Sequence, residues 1–415
     1  MSTQQKAADA AQETPTRTLV VDNGAYTIKA GFSSPESTDS PRIIPNCLAR
    51  DREKKVYIGS QLDNCTDFGD IVFRRPVEKG YLVNWEAEKE IWEHEFFDKK
   101  APLHCDPTET GLILTEAPNA LPVLQTNCDQ MVFEEFGFAS YYRCPGPILN
   151  SYNDIQGIFK GPARDPSQPL LPAEIILLID AGYSHTTITP VLRGRPLQSA
   201  IRRLEVGGKL MTNYLTRLIS LRGMLLCIKG LQWDMEKTWK GTRGDRREIF
   251  ETGGGIAKDY VLPDYHNRSQ GFVRDHDPQQ AGKLKQLTKG KLAEAAEDLL
   301  TLRNERFTVP ELLFNPSDIG IRQSGIAQLV MESLSALPMG LWPALLANII
   351  VLEIKALAPA ECYVRCARPE YPIISTWNGG AELARHPDVL KKLSVTKQEY
   401  DEHGSAWVAK KFGGK

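Results

Sequence analysis

One pattern occurs twice in this chain and constrains it more than any other. Leu19-Val-Val-Asp22-Asn-Gly24 returns in form as Leu177-Leu-Ile-Asp180-Ala-Gly182, 158 residues further on. In each copy an apolar run reads as a buried strand, ends in Asp-x-Gly, and leads through a polar turn into a second strand. Asn23-Gly24 predicts a tight β-hairpin joining Thr18–Asp22 to Tyr26–Phe32. The spacing allots about one domain to each copy. Glycine lets such a turn approach a phosphate closely enough for backbone N–H groups to donate to it. An aspartate at the strand end can hold a hydrated Mg²⁺ that bridges phosphate oxygens. Two such hairpins facing each other would clamp a nucleotide. A single Asp-x-Gly is commonplace in turns; a pair, each behind a strand, favours the nucleotide reading.

The rest of the chain is consistent with a large α/β protein. Its 415 residues predict two or three domains. Lys plus Arg number 50 and Asp plus Glu 52, a balance that argues against a dedicated polyanion binder. The opening residues are polar and carry no secretory leader, and residues 1–17 read as a disordered tail. Leu337–Leu352 is the most apolar stretch, but Pro338, Gly340, Pro343 and Asn348 break it into strand and helix ends rather than a membrane span. Eight cysteines without a Cys-x-x-Cys do not make a disulfide scaffold. Cys362 and Cys366 share a strand face and read as core rather than as metal ligands. These features predict a soluble protein of a reducing compartment.

Local signals place several helices. Asn84 reads as an N-cap, with Trp85, Trp92 and Phe96 on one face and Lys99-Lys100 near the end. Residues 291–307 predict an amphipathic helix carrying Leu292, Ala295, Ala296, Leu299 and Arg303, with Pro310 after it. Thr396-x-x-Glu399 is a capping box, and Gly404 is expected to end its helix.

Leu19–Gly24, Lys29-Ala-Gly-Phe32, Pro76-Val-Glu-Lys-Gly80 with Asn84-Trp85, and Leu114-Thr-Glu-Ala-Pro118 resemble actin and the actin-related proteins. Trp377-Asn-Gly-Gly380 and Thr396-Lys-Gln-Glu-Tyr-Asp401 do so too, and the matches run in order from about residue 18 to the C-terminus. Asn23–Ile28, Phe73–Pro76 and Gly340–Asn348 resemble a nuclear branch of that family. Its member is a subunit of the Swr-type remodeller, which exchanges a variant core histone into nucleosomes. The resemblance implies an α/β, actin-like two-lobed fold of four subdomains, the duplicated architecture shared with sugar kinases and heat-shock chaperones. The first lobe would comprise 18–153 and 367–415, the second 154–366. The implied nucleotide cleft, for ATP with Mg, involves Asp22, Gly24, Ala25, Tyr26, Lys29, Asp180, Gly182, Tyr183 and Ser184. Asp22 and Asp180 would face the metal through water.

The chain departs from actin where hydrolysis is concerned. Ala25-Tyr26 stand where actin has Ser-Gly, and Tyr183-Ser184 where it has Asp-Gly. Gly146 and Thr187 fall at the places of a glutamine and a histidine that position the attacking water, and neither can replace them. The resemblance therefore implies a non-catalytic subunit that binds ATP at most. Family segments also look absent after Met224 and after Val351, through real loss or through an incomplete coding sequence. An active ATPase or kinase of the same fold would need another water-positioning group. A cytoskeletal filament would need a long loop, and Ala49–Tyr57 offers a short, charged one.

Residues 231–282 are expected to form an irregular insertion that binds a partner through Trp233, Trp239, Tyr260, Tyr265 and Phe272. The competing reading has these aromatics seal their own lobe. By resemblance the partners are the remodeller's catalytic ATPase and a zinc-finger subunit, with the nucleosome contacted indirectly. No membrane and no filament are expected, and the location is the nucleus, also the cytoplasm. His185 reads as an exposed loop histidine. Gly253-Gly-Gly255 lacks the context of a phosphate loop, and Arg246-Arg247 read as ordinary surface.

Overall fold

The computed structural model describes residues 15, 17–36, 40–65, 68, 71–165, 167–225, 257–262, 271–276, 299–352 and 365–413. It divides into two compact units. One lies within Met1–Cys65, Gly69–Gly208 and Ser324–Lys415, the other within Thr66–Phe68 and Lys209–Gln323.

The larger unit is organised by the two apolar runs. Leu19, Val20 and Val21 are fully buried in β1 (Arg17–Asn23), which pairs antiparallel with β2 (Thr27–Ser33), and β2 with β3 (Arg42–Pro45). Arg17 thus starts a strand instead of ending the expected tail. β4 (Leu48–Arg50), β5 (Val56–Ile58) and β6 (Val72–Arg74) form a small sheet in the order β5-β4-β6. The charged segment between β4 and β5 is a tight hairpin closed on Asp51, whose carboxylate accepts from Lys55 N at 2.9 Å. β7 (Val77–Glu78) and β8 (Tyr81–Leu82) make a further hairpin. On its other edge β1 runs parallel to β9 (Thr110–Glu116), and β9 parallel to β10 (Ser140–Pro145).

The second run repeats this scheme. β11 (Ile175–Ala181) pairs antiparallel with β12 (Thr186–Leu192), which also pairs with β13 (Arg195–Pro196) and β14 (Arg202–Leu204). In the smaller unit β15 (Lys258–Val261) lies between β16 (Phe272–Asp275) and β17 (Leu299–Leu302). Back in the larger one, β18 (Ile349–Leu352) is parallel to β11 and β19 (Cys366–Ala367) to β18, while β20 (Val395–Thr396) closes the first sheet beside β10. The series β3-β2-β1-β9-β10 and β13-β12-β11-β18-β19 therefore share order and pairing sense, antiparallel twice and then parallel twice. The duplication read from Asp-x-Gly is a duplication of whole sheets.

Helices cover both faces of the first sheet, as parallel strands require. Asn84 caps the helix Trp85–Trp92 by accepting from Ala87 N at 3.1 Å. That helix delivers Trp92 and, through a wider turn, Phe96 into a core shared with Phe133, Phe138 and Tyr400. On the opposite face Trp377 packs against Val20, Leu149 and Leu383, and its indole N–H donates to Val20 O at 3.0 Å. The helix Ser375–Ala384 approaches Gly146–Asn150 so closely that a Cβ on Gly379 would overlap the carbonyl oxygen of Leu149. This gives the Trp377-Asn-Gly-Gly380 motif a packing reason. The Thr396–Glu399 capping box is formed, with Glu399 accepting from Thr396 N at 2.9 Å. Gly404 breaks the helix at φ +75°, yet the chain resumes helix and runs to Phe412, because the second piece carries Val408 and Phe412 into the cores.

Two expectations need correcting in the smaller unit. Residues 231–282 are not irregular throughout: Lys258–Val261 and Phe272–Asp275 are paired strands, too short for a period to show in sequence. The helix expected over 291–307 is instead strand at Leu299–Leu302, followed by a helix over Glu305–Glu311 that includes Pro310. Pairing with β15, from Val261 opposite Leu299 to Lys258 opposite Leu302, outweighs local helical spacing. Leu292, Ala295 and Ala296 lie outside the described residues, as do residues 1–14, Met224's continuation over 226–256, and 353–364 with Cys362. Among the described residues no helix is long and apolar enough to cross a membrane.

Gly379→Ala should lower unfolding stability by at least about 1–3 kcal/mol, since the added methyl meets backbone rather than a side chain that can rotate away. Denaturant titration of the purified chain measures this, and Gly340→Ala, where a Cβ meets nothing within 4 Å and φ is likewise not positive, separates packing from the mere addition of a methyl.

Candidate functional site

The first Asp-x-Gly turn is tied down from several sides. Asp22 and Lys29 face each other across the hairpin, with Nζ 3.6 Å from one carboxylate oxygen. The other oxygen accepts from the Thr115 hydroxyl at 2.9 Å, and that hydroxyl in turn accepts from Asn23 N at 2.9 Å. Gly24 is required by proximity: a Cβ there would stand 2.6 Å from Thr27 O and 3.3 Å from Lys29 Nζ. Asn46 holds the turn from behind by donating to Gly24 O at 2.9 Å.

The second turn is closed by Gly182 N donating to His185 O at 3.0 Å, and Gly208 N donates to Gly182 O at 3.0 Å. Gly207 abuts it so tightly that a Cβ would lie 2.5 Å from His185 N. Asp180 is half-buried and sits opposite Thr187, whose side chain is buried in β12. Gly146 opens a short helix and presents no side chain.

The two turns meet. The rings of Tyr26 and Tyr183 lie 4.7 Å apart, tilted by 37°. The Arg75 guanidinium stands over both, 4.7 Å from the Tyr26 centroid and 5.5 Å from that of Tyr183. Arg75 also donates to Tyr26 O at 3.3 Å and to Asn46 O at 3.2 Å. A second link joins the β7–β8 hairpin to the second sheet. Arg203 donates to Lys79 O at 2.7 Å and lies 5.2 Å over the Tyr81 ring, while the His185 ring fills the place a Cβ on Gly80 would take. Tested against a triphosphate with magnesium, the glycines and carboxylates of the cradle are retained. The room between the turns is taken by rings.

Two ionisable groups, His185 half-buried and Glu88 fully buried, flank this arrangement. His185 is not an exposed loop histidine: burial, then the charge of Arg203, push its pKa down to about 4, so it is neutral at physiological pH. Glu88 is completely buried beneath the first turn, and burial raises its carboxyl to about 7, partly offset by the Asn23, Trp92 and Asn46 side chains. Trp92 Nε1 donates to one of its oxygens at 2.9 Å. The other oxygen, together with Oδ1 of Asn23 and of Asn46, lacks a donor.

Of the residues picked from sequence, Asp22, Gly24, Ala25, Tyr26, Lys29, Asp180, Gly182, Tyr183 and Ser184 all sit on the two turns or their strands. Tyr260 and Phe272 lie on neighbouring strands of the smaller unit, at Tyr260 opposite Val273 and Val261 opposite Phe272. Trp233, Trp239 and Tyr265 lie outside the described residues. Sequence reasoning missed Arg75, Asn46, Glu88, Arg203 and Gly207. Arg75 lay within a stretch already noted, Phe73–Pro76; the others had no local signal.

A family model described as Actin matches residues 13–231 and 235–413. This chain belongs to the actin family. Among its members it is similar to Actin-related protein 6 of Neurospora crassa, at 60% identity over 96% of this chain and 94% of that one. The Actin-like protein arp6 of Aspergillus fumigatus is 45% identical over 99% and 97%, and Actin-related protein 6 of Arabidopsis thaliana 33% over 95% and 99%. The alignment to the Neurospora protein runs to 430 positions, more than the 415 residues of this chain, so that relative carries residues this chain lacks.

Glu88 makes stability depend on pH in a defined direction. A carboxyl raised from 4.5 to about 7 on folding binds its proton more tightly in the folded state. The contribution of Glu88 should therefore be fully present below pH 4.5 and be lost as the pH rises from there through 7, by on the order of 3 kcal/mol in full. Glu88→Gln should remove that part of the slope and raise stability at pH 8, as read from urea unfolding at a series of pH values.

Proposed function

We propose that this chain is a non-catalytic actin-fold subunit of a nuclear chromatin remodeller that exchanges a variant histone into nucleosomes, and that it acts as a scaffold for other subunits. The observation that carries the non-catalytic part is the chemistry of the two turns. Tyr26 and Tyr183 face each other where a phosphate-binding turn would keep small or acidic residues, and Gly146 and Thr187 offer nothing to orient an attacking water. The remodeller assignment rests on the resemblance of Asn23–Ile28, Phe73–Pro76 and Gly340–Asn348 to a nuclear branch of the family. Likeness to proteins named Actin-related protein 6 supports it.

In this reading the chain works through partners, the remodeller's catalytic ATPase and a zinc-finger subunit, and reaches the nucleosome through them. Its place is the nucleus, with a cytoplasmic pool. It does not polymerise, since the hairpin between β4 and β5 is short and charged, and a heterologous contact propagates only when both of its surfaces are present. The partner surface is centred on 231–282, including Trp233, Trp239, Tyr260, Tyr265 and Phe272. Phe272 and Val273 are exposed on β16, which lies at the edge of its sheet among the described residues.

The purified chain should release no phosphate from MgATP above background. Steady-state turnover abolished by Asp180→Ala would overturn the non-catalytic reading. Trp239→Ala with Tyr265→Ala should abolish co-purification with the remodeller at unchanged thermal stability. A collapse of stability by several kcal/mol would make those aromatics core instead.

A further inference from the structure

We propose that Tyr26, Tyr183 and Arg75 form a built-in strut that joins the two Asp-x-Gly hairpins in place of a bound nucleoside triphosphate. Facing turns of this kind present polar backbone and glycine to each other and share no apolar surface. Something must bridge them if they are to stay together. A ligand bound to both would do so by mass action, with a strength set by its concentration. Here the bridge is covalently part of the chain.

Three independent observations carry the inference. The rings touch across the space between the turns, at 4.7 Å between centroids, so the same space cannot hold a polyphosphate. Arg75 belongs to neither turn, yet it covers both rings and donates to the backbone of Tyr26 and Asn46. It therefore couples stacking on the second turn to the backbone of the first, and a guanidinium plane suits both tasks where an ammonium would not. Finally, the charge of Asp22 is satisfied internally by Lys29 and Thr115. Arg203 on Lys79 O and His185 against Gly80 brace the same junction nearby.

The inference rests on the reading of this cleft as non-catalytic, but the two fail separately: phosphate release decides that reading, whereas stability and amide exchange decide the strut. In the full-length chain, millimolar MgATP or MgADP should leave the melting midpoint unchanged and give no binding heat. Arg75→Ala should lower the midpoint by roughly 2–5 °C. It should also speed amide exchange in both turns, 24–27 and 182–186. Tyr183→Phe, which keeps the ring, should match the unaltered chain in both measurements. The pair Tyr26→Ala with Tyr183→Ala should gain a midpoint rise with MgATP that the unaltered chain lacks. Should Arg75→Ala yield no soluble protein, Arg75→Lys replaces it, keeping the charge and losing planar stacking, with faster exchange expected at both turns. A midpoint rise of the unaltered chain with MgATP overturns the strut. So does faster exchange confined to the first turn, or a double alanine variant with unchanged stability and no nucleotide response.

Discussion

Burial of β1 and β11 on both faces is the constraint on which the larger unit depends. Leu19, Val20 and Val21 in one strand, and Ile176, Leu177 and Leu178 in the other, have no exposed surface. Each such side chain contributes about 1.5–3 kcal/mol relative to leaving it in water. A strand buried on both sides must sit in the interior of its sheet, so each has a hairpin partner on one edge and a parallel strand on the other. That arrangement fixes the point at which each Asp-x-Gly turn emerges. The positions of Asp22 and Asp180 are consequences of core packing before they are features of a site.

The same packing holds the two turns in place whatever residues their tips carry. Gly24, Gly207 and Gly379 are held by close backbone contacts that stand without any ligand. Ala25, Tyr26, Tyr183 and Ser184 lie at the tips, partly exposed, where substitution does not disturb the sheets. Aromatic rings at both tips make a direct contact between the two turns. Below the first tip, Glu88 adds a fully buried carboxyl whose pKa burial raises to about 7. Hydrolysis needs an open space and a water held in line; scaffolding needs only a persistent surface. The proposed function asks only for the second.

Much of the fold was legible because it is written in local terms. A β-hairpin is announced by Asn23-Gly24, a helix start by Asn84 or by Thr396 with Glu399, and a buried strand by Leu-Val-Val or Leu-Leu-Ile. The duplicated turns were found for the same reason, since Asp-x-Gly behind a strand is a short motif. Legibility failed where pairing between distant segments decides the outcome. Leu299–Leu302 has helical spacing and is a strand because β15 offers it a partner about forty residues earlier in the chain. His185 resembles an exposed loop residue until Gly80, from a different hairpin, closes over its ring.

The sequence by itself determined the family, the two hairpins and the identity of Ala25, Tyr26, Tyr183 and Ser184 at their tips, because each of these is a property of neighbouring residues along the chain. Only the tertiary structure decided what those tip residues touch. Tyr26 and Tyr183 are 157 residues apart in sequence and 4.7 Å apart in space, and Arg75 reaches them from a third segment. Contact between rings, and the burial that pushes Glu88 up and His185 down, depend on which surfaces the sheets and helices bring together. No local pattern encodes that, because stacking and desolvation are properties of neighbours in space.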